Sequence, residues 1–410
     1  MSRPSLIGWA TAAALSAALL LSAGALASKP RSAASKPRSA SSKPVPQGFV
    51  GMVVDEPVWP DPFVELGPQL DAMVASGVQA VRVVFDWSTA QPYASWSKVP
   101  SAERSEFTNV GGIPTNFSVM DQLVGMASQR GLTVLPTILN APSWDGQTYK
   151  GGLVAIPKSP APYAAFAKAL VRRYGPRGSF WSTYTQGPKV PIRMWQIWNE
   201  PNIPAFWPPQ PYYARYISLL RAAHAAIKGA DPTAKVVLAG LPNFSWIELA
   251  RLYSYKGAKN LFDEVAVHPY TKTPQGVLTI LSFVRSIMNQ SGDQAKPMIA
   301  DEISWPSSQG QTTHNTGYDF ATTQAGQARN LGQLLPLLMQ NRLRLGLAGF
   351  YYYDWAGLER HNALAFDFSG LFRIADGSFD PKPAFAVFKR DVLAMEGCRA
   401  KGAQADVCQK

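Results

Sequence analysis

Acidic side chains are absent from the first 54 residues of this 410-residue chain, cysteine occurs twice and histidine four times. With so few soft ligands and no Cys/His cluster at metal-binding spacing, the sequence offers no zinc site. No glycine-rich turn follows an apolar run, so nothing speaks for a nucleotide, and no cofactor or metal is expected. A basic stripe with interleaved aromatics is lacking too, which removes nucleic acid from the expected partners. The formal charge of +12 is less telling than it looks. Arg3 and five cations between residues 28 and 46 supply half of it and leave +6 elsewhere.

Arg3 precedes an Ala- and Leu-rich stretch that ends in Ala25-Leu26-Ala27, a small-residue pattern suited to signal peptidase. Residues 1–27 therefore read as a signal peptide, and export to a periplasmic or extracellular space is expected. The alternative is an uncleaved anchor, because the run approaches bilayer length. Residues 28–46 repeat Ser-Lys-Pro-Arg-Ser-Ala and hold no large apolar side chain, the composition of a disordered linker. Its cations suit electrostatic contact with an anionic envelope or glycan, and a solvated spacer is the plainer reading. In an exported chain Cys398 and Cys408 favour a small terminal disulfide over free thiols.

Residues 47–410 are many for one domain but ordinary for eight βα units with long loops. Apolar runs recur at 49–54, 80–85, 132–138, 192–198, 235–239, 264–267, 297–300 and 347–352, each followed by polar and aromatic residues and then by helical patterning. Amphipathic stretches from Pro162 to Tyr174 and from Tyr212 to Ala230 fall between them. Gly77, Gly131 and Gly229 stand where helices are expected to stop. The rhythm predicts an α/β fold, a (β/α)8 TIM barrel forming a single catalytic domain. An open doubly wound sheet shares the alternation, but its phosphate-binding turn is missing.

Two of the runs end in acid. Trp198-Asn199-Glu200-Pro201 closes the fourth, and Glu302 closes the seventh within Ile299-Ala300-Asp301-Glu302-Ile303-Ser304-Trp305. Barrel strands open their carboxyl ends on one face, so glutamates far apart in sequence can meet over one bound molecule. Paired carboxylates are what glycosidic cleavage needs, and Asn199 can bond the sugar 2-hydroxyl beside them. Because side chains alternate on a strand, only one of Asp301 and Glu302 is expected to face the mouth. Glu302 is the longer and is preferred, with Asp301 left to packing or an ion pair. Arg82, a cation inside the second run, needs a partner, and beside Glu302 it would hold that carboxylate ionised. Tyr270 can donate to the same carboxylate, and His268 can bond a substrate hydroxyl. Trp144 and Trp355, in loops after the third and eighth runs, offer flat faces to pyranose rings. Trp87, Phe206, Trp207 and Trp305 divide between sugar contact and core.

Set at strand ends, Glu200, Glu302, Asn199, Arg82, His268, Tyr270 and Trp355 resemble the arrangement of clan A glycoside hydrolases, in which Asn-Glu ends strand four and a nucleophilic Glu ends strand seven. The likeness spans residues 48–388. It looks closest to family 39 and neighbouring family 5 enzymes, on Trp195-Gln196-Ile197-Trp198-Asn199-Glu200-Pro201-Asn202, Phe206-Trp207 and Ala230-Asp231-Pro232. The resemblance implies a retaining hydrolase of O-glycosidic bonds, with Glu200 as acid/base and Glu302 as nucleophile. Burial and the nearby Glu302 charge are expected to raise the Glu200 pKa. A polysaccharide or oligosaccharide is the expected substrate, because an exported chain on a basic tether suits a polymer near the envelope, and a monomer is expected. Asn140 departs from the clan, many members of which carry histidine there. A silent carbohydrate-binding barrel and a transglycosylase using the same residues stay open as alternatives.

Overall fold

The computed structural model describes residues 45–54, 64–313, 319–360, 363–375 and 378–409, so the signal-peptide and linker readings lie outside the described residues, apart from the last two linker positions. Eight strands form the centre: β1 Val50–Val53, β2 Ala80–Asp86, β3 Thr133–Leu139, β4 Met194–Ile197, β5 Lys235–Val237, β6 Val265–Val267, β7 Met298–Ile303 and β8 Leu347–Tyr352. Their hydrogen-bonded order is β6-β7-β8-β1-β2-β3-β4-β5, parallel throughout. Parallel bridges Val237–Glu264 and Leu241–Val267 bring β5 to β6 and close the ring. This is the barrel that the eight apolar runs imply.

A helix follows each strand: α1 Leu66–Ala75, α2 Ser118–Gln129, α3 Pro160–Tyr174, α4 Tyr213–Ala230, α5 Ser245–Tyr253, α6 Pro274–Gln290, α7 Gln324–Leu345 and α8 Pro383–Glu396. Pro160, Pro274 and Pro383 open three of them, where a missing N–H costs nothing. Ser159, Thr273 and Thr323 cap α3, α6 and α7 by accepting from backbone amides of the first turn. Gly77 and Gly131 end α1 and α2 in the left-handed region, at φ 103° and 68°. Gly229 does not end α4. It lies within that helix, and the stop comes at Asp231, which Pro232 forces out of the helical region. No helix among the described residues is long and apolar enough to cross a membrane.

Val53, Ala80, Leu135, Val237, Ala266, Ile299 and Tyr351 fill the barrel interior, while a larger apolar shell lies between strands and helices. Tyr351 swings across the bore because Gly51 leaves room: a Cβ there would sit 2.1 Å from its ring. One irregularity positions the site. β7 pairs Ala300 with Phe350 but Ile303 with Tyr352, three steps against two. The extra residue breaks the alternation, so Asp301, in phase with inward-facing Ile299, and Glu302 both reach the same interior partners, Arg82 and His268. The expectation that only one of them faces inward fails on this bulge.

Cys398 and Cys408 form a disulfide beyond α8. Lys401, inside that loop, pairs with Glu396 and donates to the Gly77 carbonyl, which fastens the C-terminus beneath the barrel.

Candidate active site

β4 ends at Ile197, before the apolar run does, because Trp198 enters the left-handed region at φ 72° and leaves the ladder. Its indole packs against Tyr163 and Trp207 and donates to the Phe206 carbonyl. Glu200 also has a positive φ, 42°. Such backbone costs roughly 1–3 kcal/mol in a residue other than glycine and persists only where neighbours enforce it. Here the Glu200 amide donates to the Gly240 carbonyl, and the Glu200 carbonyl accepts from the Ile203 amide. The chain is thereby turned so that the Glu200 side chain enters the barrel mouth.

Around it the other strand ends converge. His268, just past β6, places Nδ1 2.6 Å from Glu200 Oε1 and 3.3 Å from Glu302 Oε2. Glu302 accepts from Arg82 Nη1 at 2.7 Å and from the Tyr270 hydroxyl at 3.1 Å. Arg82 also donates to Asn199 Oδ1 and Gln196 Oε1, both at 2.8 Å. An oxygen of Glu200 lies within 4.8 Å of an oxygen of Glu302. The sequence therefore placed Glu200, Glu302, Arg82, Asn199, His268 and Tyr270 in one cluster, and the fold brings all six together.

Their surroundings differ in charge. Burial pushes the Glu200 carboxyl up and the Glu302 charge adds to this, against His268 and Arg82. Burial alone would lower His268, but Glu302 and Asp301 outweigh it and lift the imidazole to about 10. Asp301, wholly buried, would be raised by desolvation, yet His268 and Arg82 hold it below the ordinary carboxylate range. Burial and the Glu302 charge keep the Tyr270 phenol protonated far into the alkaline range, as a donor.

Glu200, His268 and Glu302 also offer three ligand atoms within 4.8 Å of one another. A divalent ion would need a neutral histidine and an unclaimed carboxylate. Here His268 Nδ1 already bonds Glu200 and Arg82 already pairs with Glu302, so these ligand atoms are engaged within the cluster.

Three expectations are corrected here, and the four aromatics left between sugar contact and core are placed. His268 does not reach out for a sugar hydroxyl: it is fully buried, with Nδ1 on Glu200 and Nε2 on Asp301. Trp355 is also fully buried, packed against a tilted Phe372 and an edge-on Phe385 with its Nε1 donating to Gln69, so the protein's own aromatics cover it. Trp305 is buried as well and donates to the Thr271 carbonyl; Trp87, Phe206 and Trp207 are core. Trp144 is half-buried, but it lines a side groove of about 450 Å³ between the hairpin at 108–115 and α3, whose walls include none of the acidic cluster.

Asn140 is occupied within the protein, donating to Asp86 and Ser88 and accepting from the Ala155 amide. Gln196, missed in the sequence, links Arg82, Thr137, Asp301 and the Leu238 carbonyl. As the sole polar residue of β4, the strand that leads to Glu200, it carried a legible signal. Beside Tyr270 stand Phe320, Tyr353 and Phe366, an aromatic wall that no local spacing announces.

No protein-family model and no curated protein matches the chain. Solved structures do. A family 39 glycoside hydrolase from the gut symbiont Bacteroides cellulosilyticus WH2 superposes with a TM-score of 0.57 at 17% identity, over 84% of this chain and 63% of that one. A glucosidase from Croceicoccus marinus gives 0.59 at 17% identity, over 86% and 69%. The catalytic domain of a family 30 xylanase C from Talaromyces cellulolyticus gives 0.52 at 13%, over 86% and 77%. This chain thus spans under two thirds of the family 39 enzyme. At such identities the likeness is one of fold, and function has to be argued from the site.

Proposed function

We propose that this protein is a retaining glycoside hydrolase acting on β-linked O-glycosides of an oligosaccharide or polysaccharide. The observation that carries the reading is the pair of unlike carboxylates, Glu200 and Glu302, with oxygens within 4.8 Å. Retaining pairs stand roughly 5–5.5 Å apart and inverting pairs roughly 6.5–9.5 Å, because the latter leave room for a water.

In the first step Glu200 gives its proton to the leaving oxygen while a Glu302 oxygen attacks the anomeric carbon. The old C–O bond breaks and a glycosyl ester forms. Arg82 and Tyr270 hold Glu302 in its attacking position. In the second step Glu200, now ionised, takes a proton from water, whose oxygen displaces Glu302 and restores the enzyme. Asn199 bonds Arg82 through Oδ1, which leaves its Nδ2 donor for the sugar 2-hydroxyl. The aromatic wall of Tyr270, Phe320, Tyr353 and Phe366 supplies apolar surface to the same sugar. The neighbours of like fold named above are themselves glycosidases by description, which supports the class without naming the sugar.

Export belongs to the same proposal, since a polymer near the cell envelope suits an enzyme on the basic segment 28–46; N-terminal sequencing of secreted protein is expected to start after Ala27. The direct test is Glu200→Gln, assayed on a panel of aryl glycosides. Loss of about 10²–10⁴-fold is expected where the leaving group needs an acid, and far less with dinitrophenol. Full activity on a poor leaving group would refute the assignment.

A further inference from the structure

The three-against-two bulge in β7 brings Glu302 to the same side as Asp301, a carboxylate that double displacement does not call for. Asp301 is wholly buried, 3.2 Å from Arg82 Nε, 3.3 Å from His268 Nε2 and 2.6 Å from Gln196 Nε2. His268 Nε2 makes no hydrogen bond among the described residues, so Asp301 meets it as an ion pair at 3.3 Å, and Gly240 packs against that same edge of the ring. The imidazole is thus clamped between Asp301 on one side and Glu200 on the other. We propose that Asp301 is a positioning residue of the site: it holds His268 as an imidazolium whose Nδ1–H is aimed at Glu200, and it sets the charge count that leaves a proton on Glu200.

The charge count follows from the groups that meet here. Arg82 from β2 and His268 after β6 are the cations; Glu200 after β4 and Asp301 and Glu302 from β7 are the acids. Tyr270 and Tyr351 face them as neutral phenols. Two cations against three carboxylates leave one negative charge too many for a buried cluster, and one proton on Glu200 removes it. Nδ1–H then donates to Glu200 Oε1, which remains an acceptor in the carboxylic acid, while Oε2 carries the proton toward the substrate. Without Asp301 the cluster is neutral with one proton fewer. Either His268 or Glu200 gives it up, and the pair that the proposal needs, an imidazolium beside a carboxylic acid, is lost at lower pH in both cases. Burial alone would raise Glu200 too, but it would not orient the proton.

This inference rests on the assignment of Glu200 as acid, so one arm of the test is independent of turnover. Imidazole nitrogen spectra of protein labelled in its four histidines, with His268 assigned by His268→Gln, report the charge state directly. Wild-type His268 is expected to stay an imidazolium at pH 8. Asp301→Asn should bring its titration down by at least about one pH unit, since one facing charge is gone; Asp301→Glu should largely restore it. On an aryl glycoside with a poor leaving group Asp301→Asn should lose roughly 10²-fold and shift the alkaline limb to lower pH, with little loss on a dinitrophenyl glycoside. A wild-type His268 that is neutral at pH 7 overturns the proposal even if Asp301→Asn fails to fold. An unchanged titration in a folded Asp301→Asn overturns it as well. Absence of turnover in the wild type, with the expected spectra, would instead overturn the glycosidase reading.

Discussion

Gly240→Ala adds one methyl group three residues beyond β5 and should disable the site while leaving the barrel standing. The backbone of Gly240 is not in the left-handed region, so alanine is conformationally acceptable there. The new Cβ, however, would fall 1.9 Å from His268 Nε2 and 2.4 Å from Cδ2. Ordinary contact begins near 3.4 Å, so the ring must withdraw by about 1.5 Å, and the 2.6 Å bond from Nδ1 to Glu200 cannot survive that movement. A displacement of about 1 Å in a supporting group costs on the order of 10²-fold in rate. Overpacking at one position costs about 1–3 kcal/mol in stability, which a barrel of this size tolerates. The assay is kcat/KM on the best aryl glycoside from a panel, alongside urea unfolding. Gly125→Ala, whose Cβ would meet nothing nearer than 3.7 Å in the middle of α2, is the control and should be slightly stabilised. Full activity in Gly240→Ala, with unchanged His268 spectra, would refute the view that the ring is clamped in place.

Arg82→Met should destabilise the fold by about 3–5 kcal/mol in denaturant titration, because it leaves two buried carboxylates without their guanidinium. Arg82→Lys should recover only part of this, since an ammonium cannot bond Glu302, Asn199 and Gln196 at once. Trp355→Ala should cost about 3–5 kcal/mol, as expected for a fully buried indole, whereas Trp144→Ala at the half-buried groove should cost less. His268 is raised from 6.5 to about 10 in the folded chain, so its stabilisation is complete below pH 6.5 and disappears as pH rises toward 10. The stability gap between wild type and His268→Gln should therefore narrow across that window; a gap that widens would contradict the charge assignment.

The barrel was readable because its strands are buried on both sides and so form unbroken apolar runs; each lies within three residues of its observed bounds. That Glu200 and Glu302 meet was readable because both close strand runs whose ends open on one face of the barrel. The failures share a cause, dependence on a partner strand or on a distant cover. Nothing in Ala300-Asp301-Glu302-Ile303 marks a bulge, since the third step is extra only when counted against β8. Trp355 looked available because it follows β8, but the strand at Phe372–Ala375 and α8 close over it. Gly229 resembled a helix stop, and the stop was set two residues later by a proline. In the sequence Asp301 reads as a packing or ion-pair residue; the ion pair with Arg82 is present, and its second partner is the histidine that bonds Glu200.

The measurement that bears most directly on the site is mass spectrometry of the intact protein after incubation with an activated 2-deoxy-2-fluoro glycoside, followed by peptide mapping. Double displacement requires a mass increase of one fluorosugar, located on Glu302 and abolished in Glu302→Gln. An adduct on another residue, or turnover of the parent glycoside with inversion at the anomeric carbon, would contradict it.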